Sequence, residues 1–186
     1  MKELIEKLSS KYDLQEVTYQ RDNLVFAAIG KENAIDAVTY LRDYEGFTHL
    51  VMMSCVDWIE DGKFQLLYLL NSPELKSDIG LRVYIDRENP VMESAHHLWK
   101  SVWTYQRELK EAFGIDFPGS PRVDENFVVE GWTDKPHMRR DFDTHEYAES
   151  TYFPRGNRQT NDPAEYMRKK LYPNQPVTAK KRKDDK

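Results

Sequence analysis

The stretch 48–70, THLVMMSCVDWIEDGKFQLLYLL, contains the strongest structural signal in this chain. Two runs rich in apolar and aromatic residues, 48–58 and 64–70, flank the dipeptide Asp61-Gly62. An Asp-Gly pair between two such runs is typical of a β-hairpin, because it accommodates the left-handed backbone conformation of a tight turn. The stretch therefore predicts two paired antiparallel strands.

The flanking residues extend this hairpin to a mixed sheet with helices. Apolar residues recur at helical spacing in three places, and two further short apolar runs end at turn residues. The predicted elements outside the hairpin are helices over 2–12, over 31–44 and from about Ala95 or Ser101 to Phe113, and strands over 24–29 and 80–86. This order predicts an α+β fold, a two-layer sandwich with helices packed on a mixed sheet.

The last of these helices carries both apolar and charged residues. The apolar set predicted to face inward is Trp99, Val102, Trp103, Leu109 and Phe113. The polar set predicted to face outward or to lie along one edge is Gln106, Arg107, Lys110 and Glu111. Gly114 fits the left-handed residue that commonly ends a helix.

The composition changes after residue 116. Seven of the nine prolines lie beyond this point, interleaved with aromatic residues, which is not the composition of a disordered linker. We expect a core domain over 1–116, a long extended Pro- and aromatic-rich arm over 117–178, and a basic mobile tail over 179–186. The arm would be ordered against its own domain or a partner, and its length favours wrapping a partner with at least part of it.

Charge is distributed unevenly along the chain. The formal net charge is -5, yet residues 164–186 carry eight Lys or Arg against three acids. An acidic body disfavours general binding to phosphate backbones, so only the tail could bind nucleic acid or anionic lipid. A stand-alone cytosolic binding module that uses this tail is therefore one hypothesis for the function.

Residues for chemistry are few. Cys55 is the single cysteine, which excludes an intrachain disulfide and a thiolate-only metal site within this chain. No phosphate-binding or dinucleotide motif occurs, and no stretch approaches the roughly 20 apolar residues of a membrane span. A small metal-dependent enzyme using His137, Asp141 or His145 is a further hypothesis, although the alternating pattern around them lacks a defined loop.

Two motifs carry a resemblance. Residues 105–121 read YQRELKEAFGIDFPGSP, and residues 135–142 read KPHMRRDF. Together they resemble the two signatures of the 30-kDa subunit of respiratory complex I and of its counterpart in related membrane-bound hydrogenases. The order of the preceding elements also matches, so the resemblance covers roughly 1–145 in organisation and 99–142 in motif.

The chain departs from the family pattern at two positions. Gln106 stands where the family usually has a glutamate, and Ser120 replaces the histidine of Gly-His-Pro. The segment Glu130-Gly131-Trp132 is closer to the corresponding segment of the hydrogenase-type relatives. These departures favour a divergent relative with another electron donor or acceptor over an ordinary NADH-oxidising complex I.

The resemblance implies a non-catalytic structural and assembly subunit. The family member binds no redox centre, so no catalytic residue, cofactor or metal is expected on this chain, and iron–sulfur clusters are expected on partner subunits. The partners implied are the large hydrogenase-derived subunit that shapes the quinone cavity and an adjacent iron–sulfur subunit. The chain would sit peripherally at the cytoplasmic face of the membrane, in a respiratory complex that couples electron transfer to ion translocation.

The resemblance also implies a set of residues that contact these partners. Those of the first motif, Arg107, Glu108 and Glu111, would form buried ion pairs at the interface. The remaining members of the set are Trp132, His137, Arg139, Arg140, Asp141 and Phe142.

Overall fold

The computed structural model describes residues 1–151 and 170, apart from the side chain of Glu149. The chain divides into two units, Met1–Phe142 and Asp143–Lys186. The sheet and its helices lie in the first unit. Residues 152–169 and 171–178 of the predicted arm, and the whole of the predicted basic tail, lie outside the described residues.

The first unit contains three helices and five strands. In chain order these are α1 (Lys2–Lys11), β1 (Gln15–Arg21), β2 (Leu24–Ile29), α2 (Ala34–Tyr44), β3 (His49–Trp58), β4 (Lys63–Ser72), β5 (Ser77–Asp86) and α3 (Val102–Phe113). The second unit has one described helix, α4 (Thr144–Thr151). Single 3-10 turns, Lys31–Asn33 and Ile59–Asp61, precede α2 and β4.

The five strands form one mixed sheet in the order β1-β2-β5-β4-β3. Strands β2 and β5 are parallel, and the other neighbouring strands are antiparallel. The predicted hairpin is confirmed: β3 and β4 pair from Trp58 and Lys63 to His49 and Asn71. Gly62 closes the turn with a φ of 63°, a left-handed conformation that glycine adopts without strain.

The core lies on one face of the sheet. Along β4, the alternate residues Phe64, Leu66, Tyr68 and Leu70 are fully buried, whereas the residues between them are half-buried. The buried apolar residues of all three helices belong to the same hydrophobic cluster as these strand residues. The predicted α+β class with helices on a mixed sheet is confirmed.

The structure differs from the sequence prediction at two places. Strand β1 was not predicted, because only Val17 and Tyr19 are apolar in it and every one of its residues is exposed. The prediction that Gln106 faces outward is wrong. Gln106 is fully buried, because it occupies the inward stripe of α3 between Val102 and Leu109, and its Oε1 accepts a hydrogen bond of 2.7 Å from the Ser94 hydroxyl.

Candidate partner interface

The two sequence motifs meet at the C-terminal end of α3. The helix ends at Gly114, which has a φ of 77°. A Cβ atom at this position would lie 2.9 Å from Nη2 of Arg139 and 3.1 Å from Cγ of Pro136. Glycine is therefore required here for two reasons: the backbone is left-handed, and the second motif approaches too closely for a side chain.

Glu111 organises the loop between the motifs. One carboxylate oxygen accepts the N–H of Phe127 at 2.6 Å, and the other accepts the N–H groups of Val128 at 3.0 Å and Val129 at 3.1 Å. Burial opposes ionisation of this carboxyl, but the three backbone donors prevail and lower the pKa of Glu111 below its usual value. The charged carboxylate thus fixes the backbone of residues 127–129.

Arg107 lies one helical turn before Glu111 and fixes the preceding part of the same loop. Its Nε–H donates to the carbonyl of Glu125 at 3.3 Å, and an Nη–H donates to the carbonyl of Asn126. Its guanidinium carbon also lies 5.4 Å from the Trp103 ring centroid. The Arg107 guanidinium donates to these carbonyls and forms no ion pair with Glu111.

Glu108 differs from its two neighbours in the first motif. Its side chain is exposed, and no ion pair or hydrogen bond to it is found among residues 1–151. Of the three charged residues predicted at the interface, Glu108 is the one that the described part of the chain does not use internally. Contact of any of the three with a partner stays a prediction.

The second motif caps α3. The backbone N–H of Met138 donates to the carbonyl of Ala112 at 3.0 Å, and Nε–H of Arg139 donates to the carbonyl of Phe113 at 2.6 Å. The last carbonyls of a helix lack partners within the helix and carry partial negative charge, which a guanidinium neutralises well. The second motif thus completes the helix that carries the first.

An ion triad, formed by a buried pair and one more exposed carboxylate, attaches this segment to the sheet. Arg87 donates from Nε to Asp57 at 2.8 Å and from Nη2 to Asp141 at 2.6 Å, and Arg87 and Asp57 are both buried. Asp57 also accepts the backbone N–H of Arg140 at 2.9 Å. A hydrogen bond from Lys135, together with one from Arg87, lowers the pKa of Asp141 to about 2. The end of β3 is therefore joined to residues 135–141 through charged groups.

Arg87 was not identified from the sequence. Its partners are 30 and 54 residues away along the chain, so no local spacing marks it. The strand-ending Asp57 and the motif residue Asp141 were both visible, but an arginine between them becomes evident only when the strands are paired. The available signal was Asp57 within an apolar run, because a carboxylate that such a strand buries requires a cation nearby.

The remaining predicted interface residues lie in the second motif or, for Trp132, just before it. The Trp132 ring lies 5.7 Å from the ring of His137 and 5.6 Å from that of Phe142, measured between centroids. The Trp132 indole N–H donates to the carbonyl of Lys135 at 3.1 Å. The side chain of Arg140 forms an exposed ion pair of 2.5 Å with Glu60, a type of pair that contributes little to stability.

Two large apolar side chains project from this otherwise fixed segment. Val128, whose N–H is held by Glu111, is 74% exposed, and Met138, whose N–H caps α3, is 57% exposed. We call residues 125–129 and 135–142 together the pinned loop. It presents apolar groups to solvent on a backbone that charged side chains hold in place.

The chain itself offers few groups for chemistry. In the part of the chain that the structure describes, no group of three His, Cys, Asp or Glu side chains could hold a metal ion. Cys55 is half-buried, and burial raises the pKa of its thiol to about 12, which disfavours a reactive thiolate. Among the described helices, none has the length and hydropathy needed to cross a bilayer.

Known proteins are similar to this chain in sequence. Residues 27–148 match the family model described as respiratory-chain NADH dehydrogenase, 30 Kd subunit. The NADH-quinone oxidoreductase C subunit of Moorella thermoacetica is 30% identical over 105 residues, which cover 56% of this chain and 70% of that protein. The NADH-quinone oxidoreductase C/D protein of Psychrobacter cryohalolentis is 25% identical over 162 residues, which cover 82% of this chain and 27% of that protein.

A solved structure shares the fold. It is a chain of the membrane-bound sulfane sulfur reductase, an archaeal respiratory membrane complex, and it superposes with a TM-score of 0.71 at 20% sequence identity. The match covers 87% of this chain and 96% of the other. At this level of identity the comparison concerns the fold.

Proposed function

This chain belongs to the family of the 30-kDa subunit of respiratory-chain NADH dehydrogenase, and from that premise we propose that it braces the large subunit of a complex-I-like membrane-bound oxidoreductase. The match confirms the family that the two motifs predicted. The proposed role is structural: the chain helps to assemble the complex and supports the subunit that forms the active cavity. The matched residues, 27–148, exclude the basic tail, so the alternative of a stand-alone module that acts through the tail is not favoured.

The pinned loop carries this proposal. A partner surface that covers Val128 and Met138 would remove their exposed apolar area from water, which favours association. A flexible loop would lose conformational entropy on docking, whereas a loop held by Glu111, Arg107 and Arg139 has already lost it. The arrangement is therefore suited to binding a protein surface with little reorganisation.

The identity of the partner is proposed from the relatives. The name of the Psychrobacter cryohalolentis protein joins a C and a D component in one chain, and our chain matches 27% of it. Components that are joined in one polypeptide stay close to each other, so the counterpart of the D component is the direct partner that we propose. We take this counterpart to be the large hydrogenase-derived subunit, with an adjacent iron–sulfur subunit that holds the clusters, at the cytoplasmic face of the membrane.

A double substitution in the pinned loop tests the proposal. Val128→Asp with Met138→Asp places two carboxylates at the proposed contact while it leaves the backbone bonds of the loop intact. We expect the tagged variant to lose co-purification with the large subunit from native membranes and to keep the melting temperature of the parent. Charged groups without partners at the centre of an interface weaken it by about 2–5 kcal/mol.

The matched control is Leu75→Asp, which changes an apolar residue of similar exposure, 58%, in the turn between β4 and β5. This variant should keep the large subunit. Retention of the large subunit by the double variant would contradict the proposed contact, and a parent chain that purifies without any large subunit would contradict the proposed function itself.

A further inference from the structure

A second surface feature lies outside the pinned loop. A recess of about 510 Å³ opens between residues 96–103, which lead into the first turn of α3, and the segment that follows Ser120. The residues that line it are His96, His97, Lys100, Trp103, Pro121 and Arg122. None of them belongs to the interface set implied by the family resemblance. We call this feature the basic recess.

The charge of the basic recess is opposite to that of the protein. The chain has a formal net charge of -5, yet every ionisable side chain that lines the recess is basic. Arg122 is engaged by the carboxylate of Glu125, whose oxygens lie 2.7 and 2.8 Å from its Nε. Lys100 is exposed, and no ion pair to it is found among residues 1–151. A local positive charge in an acidic protein favours an acidic partner.

The wall of the recess is apolar. Trp103 is half-buried, and its ring has the guanidinium carbons of Arg107 at 5.4 Å and Arg122 at 5.5 Å from its centroid. Pro121 supplies a second rigid apolar surface. Trp103 and Pro121 form a surface for an apolar side chain, and the basic groups at the rim, Lys100 and Arg122, suit a carboxylate next to it.

The distribution of polar groups favours a protein segment over a small molecule. A small-molecule site orients its ligand through a few polar groups placed firmly within the pocket. Here the charged side chains, Lys100 and Arg122, are exposed, as is His97, and of the ionisable lining groups only His96 is half-buried. Long exposed basic side chains steer and register a protein surface, and such contacts occur at the rims of interfaces.

We propose that the basic recess docks an acidic segment of another subunit of the complex, with a carboxylate at Lys100 and an apolar side chain against Trp103 and Pro121. The inference rests on the proposed function, since it requires that the chain be part of a complex. It adds a second contact, made by different residues from those of the pinned loop. The contact is electrostatic at its rim, so it should weaken with salt.

Zero-length carbodiimide coupling of the purified complex tests this contact directly. The reagent joins an amine to a carboxylate only when the two already touch, with loss of water. We expect mass spectrometry to find Lys100 joined to an Asp or Glu of another subunit. Lys110 and Asp116, whose Nζ and Oδ1 atoms are 2.8 Å apart, provide an internal positive control. If that control link forms and Lys100 is joined to no other subunit, the inference is wrong.

Charge reversal supplies the second measurement. Lys100→Glu should weaken association with the remaining subunits by about tenfold at low salt, and the difference should shrink as salt is added. Lys31→Glu, which reverses an exposed lysine before α2, should leave association unchanged. Equal association of the Lys100→Glu and Lys31→Glu variants would overturn the inference.

The outcomes separate the two proposals. If the parent chain does not associate with other subunits, the proposed function fails. If the complex forms but Lys100 is neither coupled nor sensitive to reversal, only the docking site fails. Binding of the chain to phosphatidylglycerol vesicles that Lys100→Glu abolishes, without a link from Lys100 to another subunit, would assign the recess to anionic lipid instead.

Discussion

The sheet and the pinned loop hold their shapes by different means. The central strands β2, β5 and β4 are held by burial, as in β4, where four alternate side chains from Phe64 to Leu70 are fully buried. In contrast, Ser120 is the only buried residue in the range 118–142, and the backbone there is held by Glu111, Arg107, Arg139 and the triad around Arg87. A region held by burial has its apolar side chains inside the protein. A region held by bonds from charged side chains to the main chain can keep its apolar side chains exposed to a partner.

The largest expected effect comes from a cavity in the sheet. Leu81 of β5 is fully buried between β2 and β4, where its neighbours cannot easily close a gap. We expect Leu81→Ala to lower the free energy of unfolding by about 4 kcal/mol, within the usual range for such truncations. Urea denaturation measures this loss, and Leu75→Ala in the exposed turn is the control. A loss below about 1 kcal/mol, typical of surface changes, would show that burial does not dominate the sheet.

The triad of Arg87, Asp57 and Asp141 is the next test, because it connects the sheet to the pinned loop. Asp57→Asn leaves the buried Arg87 with Asp141 as its one carboxylate partner among the described residues. Loss of one partner from a buried pair costs about 3 kcal/mol or more, since the remaining charge stays desolvated. We expect that loss in urea denaturation, together with faster amide exchange at Arg140, whose N–H donates to Asp57.

An apolar replacement sharpens the test of the triad. Asp57→Asn combined with Arg87→Met removes the stranded charge as well, so the double variant should be more stable than Asp57→Asn alone. If both variants unfold like the parent, the triad does not join the loop to the sheet in the way that the geometry indicates.

The smallest effect is expected within the pinned loop itself. Glu111→Gln removes the charge that accepts the N–H groups of residues 127–129. Hydrogen bonds to charged groups contribute about 1.5–3 kcal/mol, and this site is partly exposed, so we expect a local loss near 1 kcal/mol. Hydrogen exchange at these three amides should quicken roughly fivefold, a factor equivalent to that free energy, while global stability changes little. Glu108→Gln, whose parent side chain makes no recorded bond among the described residues, is the control, and equal exchange in both variants would contradict the role of Glu111.

The pH dependence of that exchange follows from the same bonds. The pKa of Glu111 is lowered in the folded protein, so its contribution is complete above the usual value of 4.5 and is lost as the pH falls below it. The protection of the three amides relative to the Glu111→Gln variant should therefore disappear on acidification. An advantage of the parent that persists well below this range would show that the carboxylate charge is not what holds the loop.

The accuracy of the sequence predictions depended on how local their signals were. The β3–β4 hairpin was predicted correctly because its two apolar runs and the Asp61-Gly62 pair between them are local features. Strand β1 escaped prediction because both faces of this edge strand are exposed, and the two alternate apolar residues Val17 and Tyr19 are too short a pattern to mark a strand. Gln106 was assigned to the wrong face because a polar residue in a buried stripe looks like a surface residue until Ser94 is seen beside it.

The sequence by itself determined the fold class and the family, since periodicity and two spaced motifs are written along the chain. Only the tertiary structure showed that the motif charges serve the chain's own backbone: Glu111 holds amides 16 to 18 residues away, and Arg139 caps a helix 26 residues earlier. It also showed Arg87 between two distant carboxylates and the basic recess beside α3. The physical reason is that hydrogen bonds and Coulomb attraction act over a few ångströms in space, and separation along the chain does not reveal which groups folding brings within that range.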